Sequence, residues 1–212
     1  MKTIYLVRHG EAENNVRASS RFKAKPALTE LGHGQAKIIA ERAAHLPVEA
    51  LIASTMTRAH ETALHISTRI SMPIESSDLF VERRCPTTLF DRLWDDAETQ
   101  KILKEWERTC VVDDARVLDG ENFADVKLRA RQALEYLEKR PESDLLVVTH
   151  GVFLRMLAAY VLFTESLTPR QFESFLWGMK MQNTGLTVLK YDMKETHHLW
   201  HLLVWNDHAH LG

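Results

Sequence analysis

The sequence predicts an α/β domain built on a mostly parallel sheet. Short apolar runs of strand length alternate with longer segments whose apolar residues recur at helical spacing. One run, residues 145–149, is apolar at nearly every position, the pattern of a strand buried on both faces.

Taken in order, residues 3–7 read as the first strand. Residues 29–46 read as a helix, with apolar positions at Leu31, Ile38, Ile39, Ala43 and Leu46. Residues 50–53 form a short strand and 55–70 a helix. Residues 123–139 carry the clearest helical stripe, formed by Phe123, Val126, Ala130, Ala133, Leu134 and Leu137. The strand at 145–149 leads into a helix after Gly151. Thr168, Pro169 and Gln171 open another helix, with Thr as N-cap, Pro in the first turn and Gln at the capping-box position. Residues 186–191 and 199–205 read as two late strands suited to pair with each other. Residues 83–119 are the least regular stretch. They hold one helix, at 96–108, and read as an insertion or lid. No repeat, low-complexity tract or Gly/Ser linker divides the chain, so residues 1–212 read as one domain.

Composition narrows the function classes. With 45% hydrophobic and 26% charged residues, the chain is neither disordered nor fibrous. Lys plus Arg is 27 and Asp plus Glu is 29, and this near balance excludes a general nucleic-acid binder. Two cysteines, Cys85 and Cys110, make no disulfide framework and fit a reducing compartment. The opening apolar run is too short for a signal peptide, and the apolar stretch at 151–163 contains Arg155 and is too short for a bilayer. The expectation is a cytoplasmic protein with no membrane partner.

The chemistry sits at strand ends. Two strands run straight into His-Gly, at His9-Gly10 and His150-Gly151. In open α/β sheets, sites lie beyond the carboxyl ends of the strands. If the two strands are neighbours, both histidines face one crevice. The glycines then allow a sharp turn and close approach of a ligand. Gly151 also begins a helix, whose free N–H groups favour an anion. A lone histidine is more often structural, so the pair needs further company. Arg58 stands early in the second helix and can offer a planar fork to phosphate oxygens, although an ion pair with Glu61 suits it equally. Glu82 follows the apolar Leu79-Phe80-Val81, and in isolation reads as a solvated loop acid.

Together these blocks resemble the histidine phosphatase superfamily, also called phosphoglycerate-mutase-like. The resemblance is carried by Leu6-Val7-Arg8-His9-Gly10-Glu11 with Asn15, by Leu28-Thr29-Glu30-Leu31-Gly32 with Gln35-Ala36, and by the stretch from Ser54 to Ala63. It continues through Leu79 and Glu82, Gly120-Glu121 with Asp125 and Arg129, Val147 to Gly151, and Trp205-Asn206-Asp207 with His210-Leu211. The resemblance implies a three-layer α/β/α sandwich and phosphoryl transfer through a phosphohistidine, with no metal and no cofactor. His9 would be the nucleophile. Arg8, Arg58 and His150 would bind the phosphoryl group, with Asn15 and the N-terminal turn at Gly151 assisting, and Glu82 would be the general acid. A phosphatase acting on a small phosphomonoester is the reading preferred. A phosphoglycerate-mutase-type phosphomutase and a phospho-ligand binding module with little catalysis are the alternatives. Nothing in these residues sets an oligomeric state.

The segment after Glu82 departs from the commoner family form, which places a Gly and a Trp shortly after the acid. Here it reads Arg83-Arg84-Cys85-Pro86-Thr87-Thr88. Arg83, Arg84, Arg92 and Trp94 are candidates to line a lid over an anionic substrate. Lys23, with Arg21 and Lys25, could steer such a substrate from a mouth loop. His197, His198, His201, His208 and His210 are metal-like by count, but no cysteine or carboxylate set completes a tetrahedral site. Trp106, Trp177 and Trp200 read as core or rim packing.

Overall fold

A computed structural model describes residues 1–16, 20–112, 115–195 and 199–212. Six strands form one sheet: β1 (Lys2–Arg8), β2 (Ala50–Ser54), β3 (Ile74–Ser77), β4 (Asp144–Thr149), β5 (Leu186–Tyr191) and β6 (Trp200–Asp207). Their order across the sheet is β3-β2-β4-β1-β5-β6. The first four run parallel, and β5 and β6 are antiparallel additions at one edge. The helices are α1 (Glu30–Ala43), α2 (Thr57–Ile70), α3 (Ala97–Arg108), α4 (Phe123–Lys139), α5 (Gly151–Phe163) and α6 (Pro169–Gly178).

The sheet separates two cores, because successive strand residues point to opposite faces. On one face Ile4, Leu6, Ile52, Leu145 and Val147 meet α4, α5 and α6. On the other, Val7, Leu51, Ala53, Leu146 and Val148 meet α1 and α2. The result is the three-layer α/β/α sandwich with a mostly parallel central sheet. Leu145 to Val148 are all buried, as a strand covered on both faces requires.

This layering opens the crevice. β1 and β4 are hydrogen-bonded neighbours, with Arg8 paired to Thr149. The chain leaves β1 toward α1 on one face and leaves β4 into α5 on the other. Adjacent parallel strands whose following helices diverge define a topological switch point, and His9 and His150 are the first residues beyond it.

Helix starts follow their caps. Thr29 accepts from the Gly32 N–H, Asp96 from Thr99, and capping boxes open α4 (Asn122 with Asp125) and α6 (Thr168 with Gln171). Three details differ from the sequence reading. The buried stripe of α1 is Gly32, Ala36, Ile39, Ala40 and Ala43, while Leu31 and Ile38 are exposed. Mostly small residues, with Ile39, let α1 lie close to the sheet, and Leu31 and Ile38 fall off that stripe. Strand β3 has no apolar run to announce it. It forms because the edge of β2 offers unpaired backbone groups. Trp177 is 68% exposed and packs in neither core nor rim.

Gly10 and Gly32 bring the β1 exit loop onto the first turn of α1. A Cβ on Gly32 would lie 2.0 Å from the Glu11 carbonyl oxygen, and one on Gly10 would lie 2.5 Å from the Gly32 carbonyl oxygen. The close approach expected at Gly10 is therefore to backbone, not to a ligand. Gly32→Ala sets helix propensity, which favours Ala by about 1 kcal/mol, against a backbone clash that costs about 1–3 kcal/mol or more. The clash should win, and urea unfolding should show a lower midpoint. A midpoint equal to or above that of the parent would contradict the close packing.

Candidate active site

Each functional side chain is set by an element end. His9 follows β1 and is 2% exposed. Its backbone is clamped, since its N–H donates to Thr149 O at 3.0 Å and its carbonyl accepts from Asn183 Nδ2 at 2.9 Å. The ring is oriented as firmly. Nδ1 meets Gly10 O at 2.6 Å, and Arg58 Nε donates to Nε2 at 3.0 Å. A carbonyl can only accept, so Nδ1 carries the proton and Nε2 presents its lone pair. Burial, with Arg58 and Arg8 nearby, holds His9 well below the usual imidazole pKa, so the ring is neutral at neutral pH.

His150 is the N-cap residue of α5 and is fully buried. Its ring lies 5.0 Å from that of His9. Nε2 meets Ser54 Oγ at 2.8 Å, while Ser54 Oγ also accepts from Met56 N–H at 3.2 Å. Ser54 can thus give its one hydroxyl proton to Nε2, leaving Nδ1–H as a donor. Among the described residues, His150 Nδ1 and Arg8 Nε are buried polar atoms with no hydrogen-bond partner. Unpaired buried donors of this kind are costly, and they fit a site whose acceptor is a bound anion. Burial comes first, then Arg58 and His9, in pushing the His150 pKa well down.

Arg8 ends β1 and anchors one nitrogen on Met181 O at 2.7 Å. Gly151 lies against it, since a Cβ there would sit 3.4 Å from Arg8 Nε. Arg58 is held through α2: Thr62 Oγ1 donates to Arg58 O at 2.8 Å and accepts from Gly10 N–H at 3.1 Å. Burial lowers the pKa of Arg8, Arg58 and Arg155, and the charge of Glu82 acts on all three in the opposite direction. Three guanidiniums against one carboxylate leave net positive charge, which suits a phosphate dianion. The fork of Arg58 points at His9, so the ion pair with Glu61 is not its role. Glu61 instead accepts from Leu28 N–H at 2.8 Å.

Glu82 is not a solvated loop acid. Its carboxylate accepts from Arg83 N–H at 2.9 Å and from Val152 and Phe153 N–H, each at 3.0 Å. The anion expected at the start of α5 is therefore supplied by the chain itself. Behind it, Arg129 donates to Val81 O at 2.7 Å, forms a two-point pair with Glu121, and stacks over Phe153 at 4.3 Å. Asn15 is exposed and pins its own turn by accepting from Ala12 N–H at 3.0 Å.

Arg8, His9, Asn15, Arg58 and Glu82 open onto one cavity of about 510 Å³, while His150 and Gly151 lie behind His9 and Arg8. Ser54, Thr62, Asn183 and Arg155 complete the site and were not singled out from sequence. Ser54 and Thr62 stand inside the block around Arg58 and could have been found there. Asn183, in a loop before β5, had no such signal.

The lid candidates divide. Arg83, Arg84 and Trp94 line the cavity, but Arg92 does not and pairs with Asp96 and Glu98. Arg83 is 5% exposed, lies over the Trp106 ring at 4.0 Å and donates to Glu121 O and Thr109 Oγ1, so it braces the segment and does not face a substrate. Lys23 is paired with Glu13 at 2.6 Å. Burial pushes both thiols up to about 11, so neither is a thiolate at neutral pH. His197 and His198 lie outside the described residues. His210 joins a network with Arg42 and Thr184, and among the described residues no three His, Cys, Asp or Glu are grouped to hold a metal. Among the same residues, no helix is long and apolar enough to cross a membrane.

The buried neutral histidines carry a stability prediction. In the unfolded chain each titrates near 6.5, but in the fold well below it. Between those values the unfolded state binds more protons, so stability falls as pH drops below about 6.5. The melting midpoint should decline over that window more steeply than in His150→Asn. Equal slopes would contradict the neutral burial of His150.

The fold places His9, His150, Arg8 and Arg58 together beside a cation-lined cavity at the switch point of an α/β sheet. The family model of the histidine phosphatase superfamily (branch 1) matches residues 4–208, and the chain belongs to that superfamily. It is 29% identical over 197 residues to "Probable phosphoglycerate mutase GpmB" of Enterobacter sp. (strain 638), covering 90% of this chain and 86% of that protein. It is 27% identical over 188 residues to "Putative phosphoserine phosphatase 2" of Hydrogenobacter thermophilus, covering 88% of each. Among solved structures, Bacillus stearothermophilus YhfR superposes with a TM-score of 0.83 at 26% identity, over 100% of both chains. Members with phosphatase and with mutase names both stand among its relatives, so the chain falls in a superfamily of phosphoryl-handling enzymes.

Proposed function

We propose that this protein is a metal-independent phosphatase that hydrolyses a small phosphomonoester through a phosphohistidine on His9. The observation that carries the reading is the His9 tautomer: a buried neutral imidazole with Nε2 unprotonated and faced by Arg58.

The phosphoryl group displaces the Arg58 contact and takes hydrogen bonds from Arg58, Arg8 Nε and His150 Nδ1. Asn15 borders it at the cavity mouth. Gly151 leaves room for the Arg8 guanidinium. His9 Nε2 then forms a bond to phosphorus as the bond to the leaving oxygen breaks, and Glu82, in the protonated form that the second step leaves behind at each turnover, gives that oxygen its proton. The guanidiniums and the imidazole offset charge on the equatorial oxygens, the task metal ions perform in other phosphoryl-transfer enzymes. In the second step the Glu82 carboxylate takes a proton from water, and the hydroxide displaces the phosphate from His9. Glu82 must turn one oxygen from the α5 amides toward the cavity for both steps. The described part of residues 83–119 forms the lid: Arg84, Cys85, Thr87, Phe90, Trp94 and Trp106 line the cavity, and Trp94 is backed by a small apolar cluster with Leu89 and Leu103.

Hydrolysis is preferred over mutase chemistry because, among the described residues, the cations lining the cavity away from the phosphoryl end, Lys23, Arg83 and Arg84, are each held by an internal partner. A phosphoglycerate has a second anionic group to be held. With a phosphomonoester panel in chelator, phosphate and alcohol should appear in equal amounts. Phosphoryl transfer between two positions of a substrate, faster than phosphate release, would overturn the hydrolase in favour of the mutase.

A further inference from the structure

Beyond the phosphoryl end, the cavity wall is aromatic. Phe22 from the mouth loop meets Trp94 from the lid at 4.7 Å between ring centroids and Phe90 at 6.3 Å. Trp106 and Met56 also face the cavity.

The wall is held together by hydrogen bonds within the chain. Phe22 N–H donates to Arg92 O at 2.9 Å, Asp91 N–H donates to Phe22 O at 2.8 Å, and Trp94 N–H donates to Ser20 O at 2.9 Å. Two segments far apart in sequence are thereby stitched into one surface, and a preformed surface spends less affinity on ordering.

Among the described residues, polar groups along the same wall are engaged within the chain. Lys23 pairs with Glu13 and Arg84 with Glu121, while both polar ends of Asn14 are taken by the Lys23 backbone. The cavity of about 510 Å³ falls in the range that encloses ligands much larger than a three-carbon phosphate.

Resting on the phosphatase reading, we propose that the substrate is a phosphomonoester whose alcohol carries an aromatic ring or a similarly broad apolar group, with Phe22 and Trp94 as its specificity-determining residues. The ring stacks on the Phe22–Trp94 surface while the phosphate lies on His9. Small doubly anionic esters gain no stacking, and the described cations along the wall are already partly neutralised by Glu13 and Glu121.

The test compares alcohols of matched acidity, because a better leaving group alone would favour aryl esters. Naphthylethyl phosphate should exceed propyl phosphate, phosphoserine and phosphoglycerate in kcat/KM by about tenfold or more. Phe22→Ala should cut that advantage to below about threefold, and Phe22→Leu should restore part of it. In parallel, calorimetry with the intact protein compares naphthylmethyl phosphonate with carboxyethyl phosphonate, neither of which can be hydrolysed. The aromatic phosphonate should bind about tenfold tighter. If the small dianionic esters are turned over equally well or better, the substrate assignment is overturned and the phosphatase stands. If nothing is turned over but the aromatic phosphonate still binds tighter, the pocket assignment stands and the phosphatase falls. Without turnover and without that preference, both fall.

Discussion

His9→Ala abolishes turnover, lowering kcat by at least about 10³-fold, while binding of inorganic phosphate survives. The split follows from the geometry. The alanine removes Nε2, the atom that would bond to phosphorus, yet leaves Arg8, Arg58 and His150 in place as donors. A merely positioning histidine would lose binding and turnover together. The variant should remain folded, because His9 is held through its backbone to Thr149 and Asn183. Circular dichroism checks that point. Turnover within tenfold of the parent in pure His9→Ala protein would remove the basis for covalent catalysis.

Arg58→Ala is expected to lower kcat by about 10²- to 10³-fold, the usual loss when a donor to developing charge is removed. A second effect distinguishes it from simple damage. Arg58 is, after burial, the largest influence holding the His9 pKa down. Without it that pKa rises, more His9 is protonated at a given pH, and the acidic limb of the kcat/KM profile moves to higher pH. Arg58→Lys keeps the charge and should leave the limb nearer its place. It lacks the fork that reaches Nε2 and phosphate oxygens together, so kcat recovers only in part. A large fall in kcat with an unmoved limb would show that Arg58 does not act on His9.

Much of the fold was legible, and for a physical reason. Where burial is two-faced, as at β4, or a stripe meets a capping box, as at α4 and α6, local pattern and tertiary packing ask for the same residues. β3 was hidden because its Ile-Glu-Ser-Ser segment is recruited by a neighbouring edge and not by its own pattern. Leu31 and Ile38 misled because α1 packs through small residues. In the site, Arg8, His9, Arg58 and His150 meet where the strand ends predicted. The contacts these residues receive were not visible, even where the residue stood inside a motif: Ser54 on His150 and Thr62 on Arg58 lie within the block around Arg58, while Asn183 on the His9 backbone had no signal at all. Their roles exist only once distant segments are brought together. Glu82 was found by its place in a motif. That its carboxylate caps α5 depends on the sheet placing residue 82 beside residues 152 and 153.

Mass spectrometry of the protein quenched in base during turnover detects a covalent bond between His9 and phosphorus without an intervening inference. Base is needed because phosphohistidine is acid-labile. One phosphate adduct is expected, located on His9, absent in His9→Ala and decaying at the rate of phosphate release. Steady phosphate release from an enzyme that carries no adduct, or carries it on another residue, would contradict it.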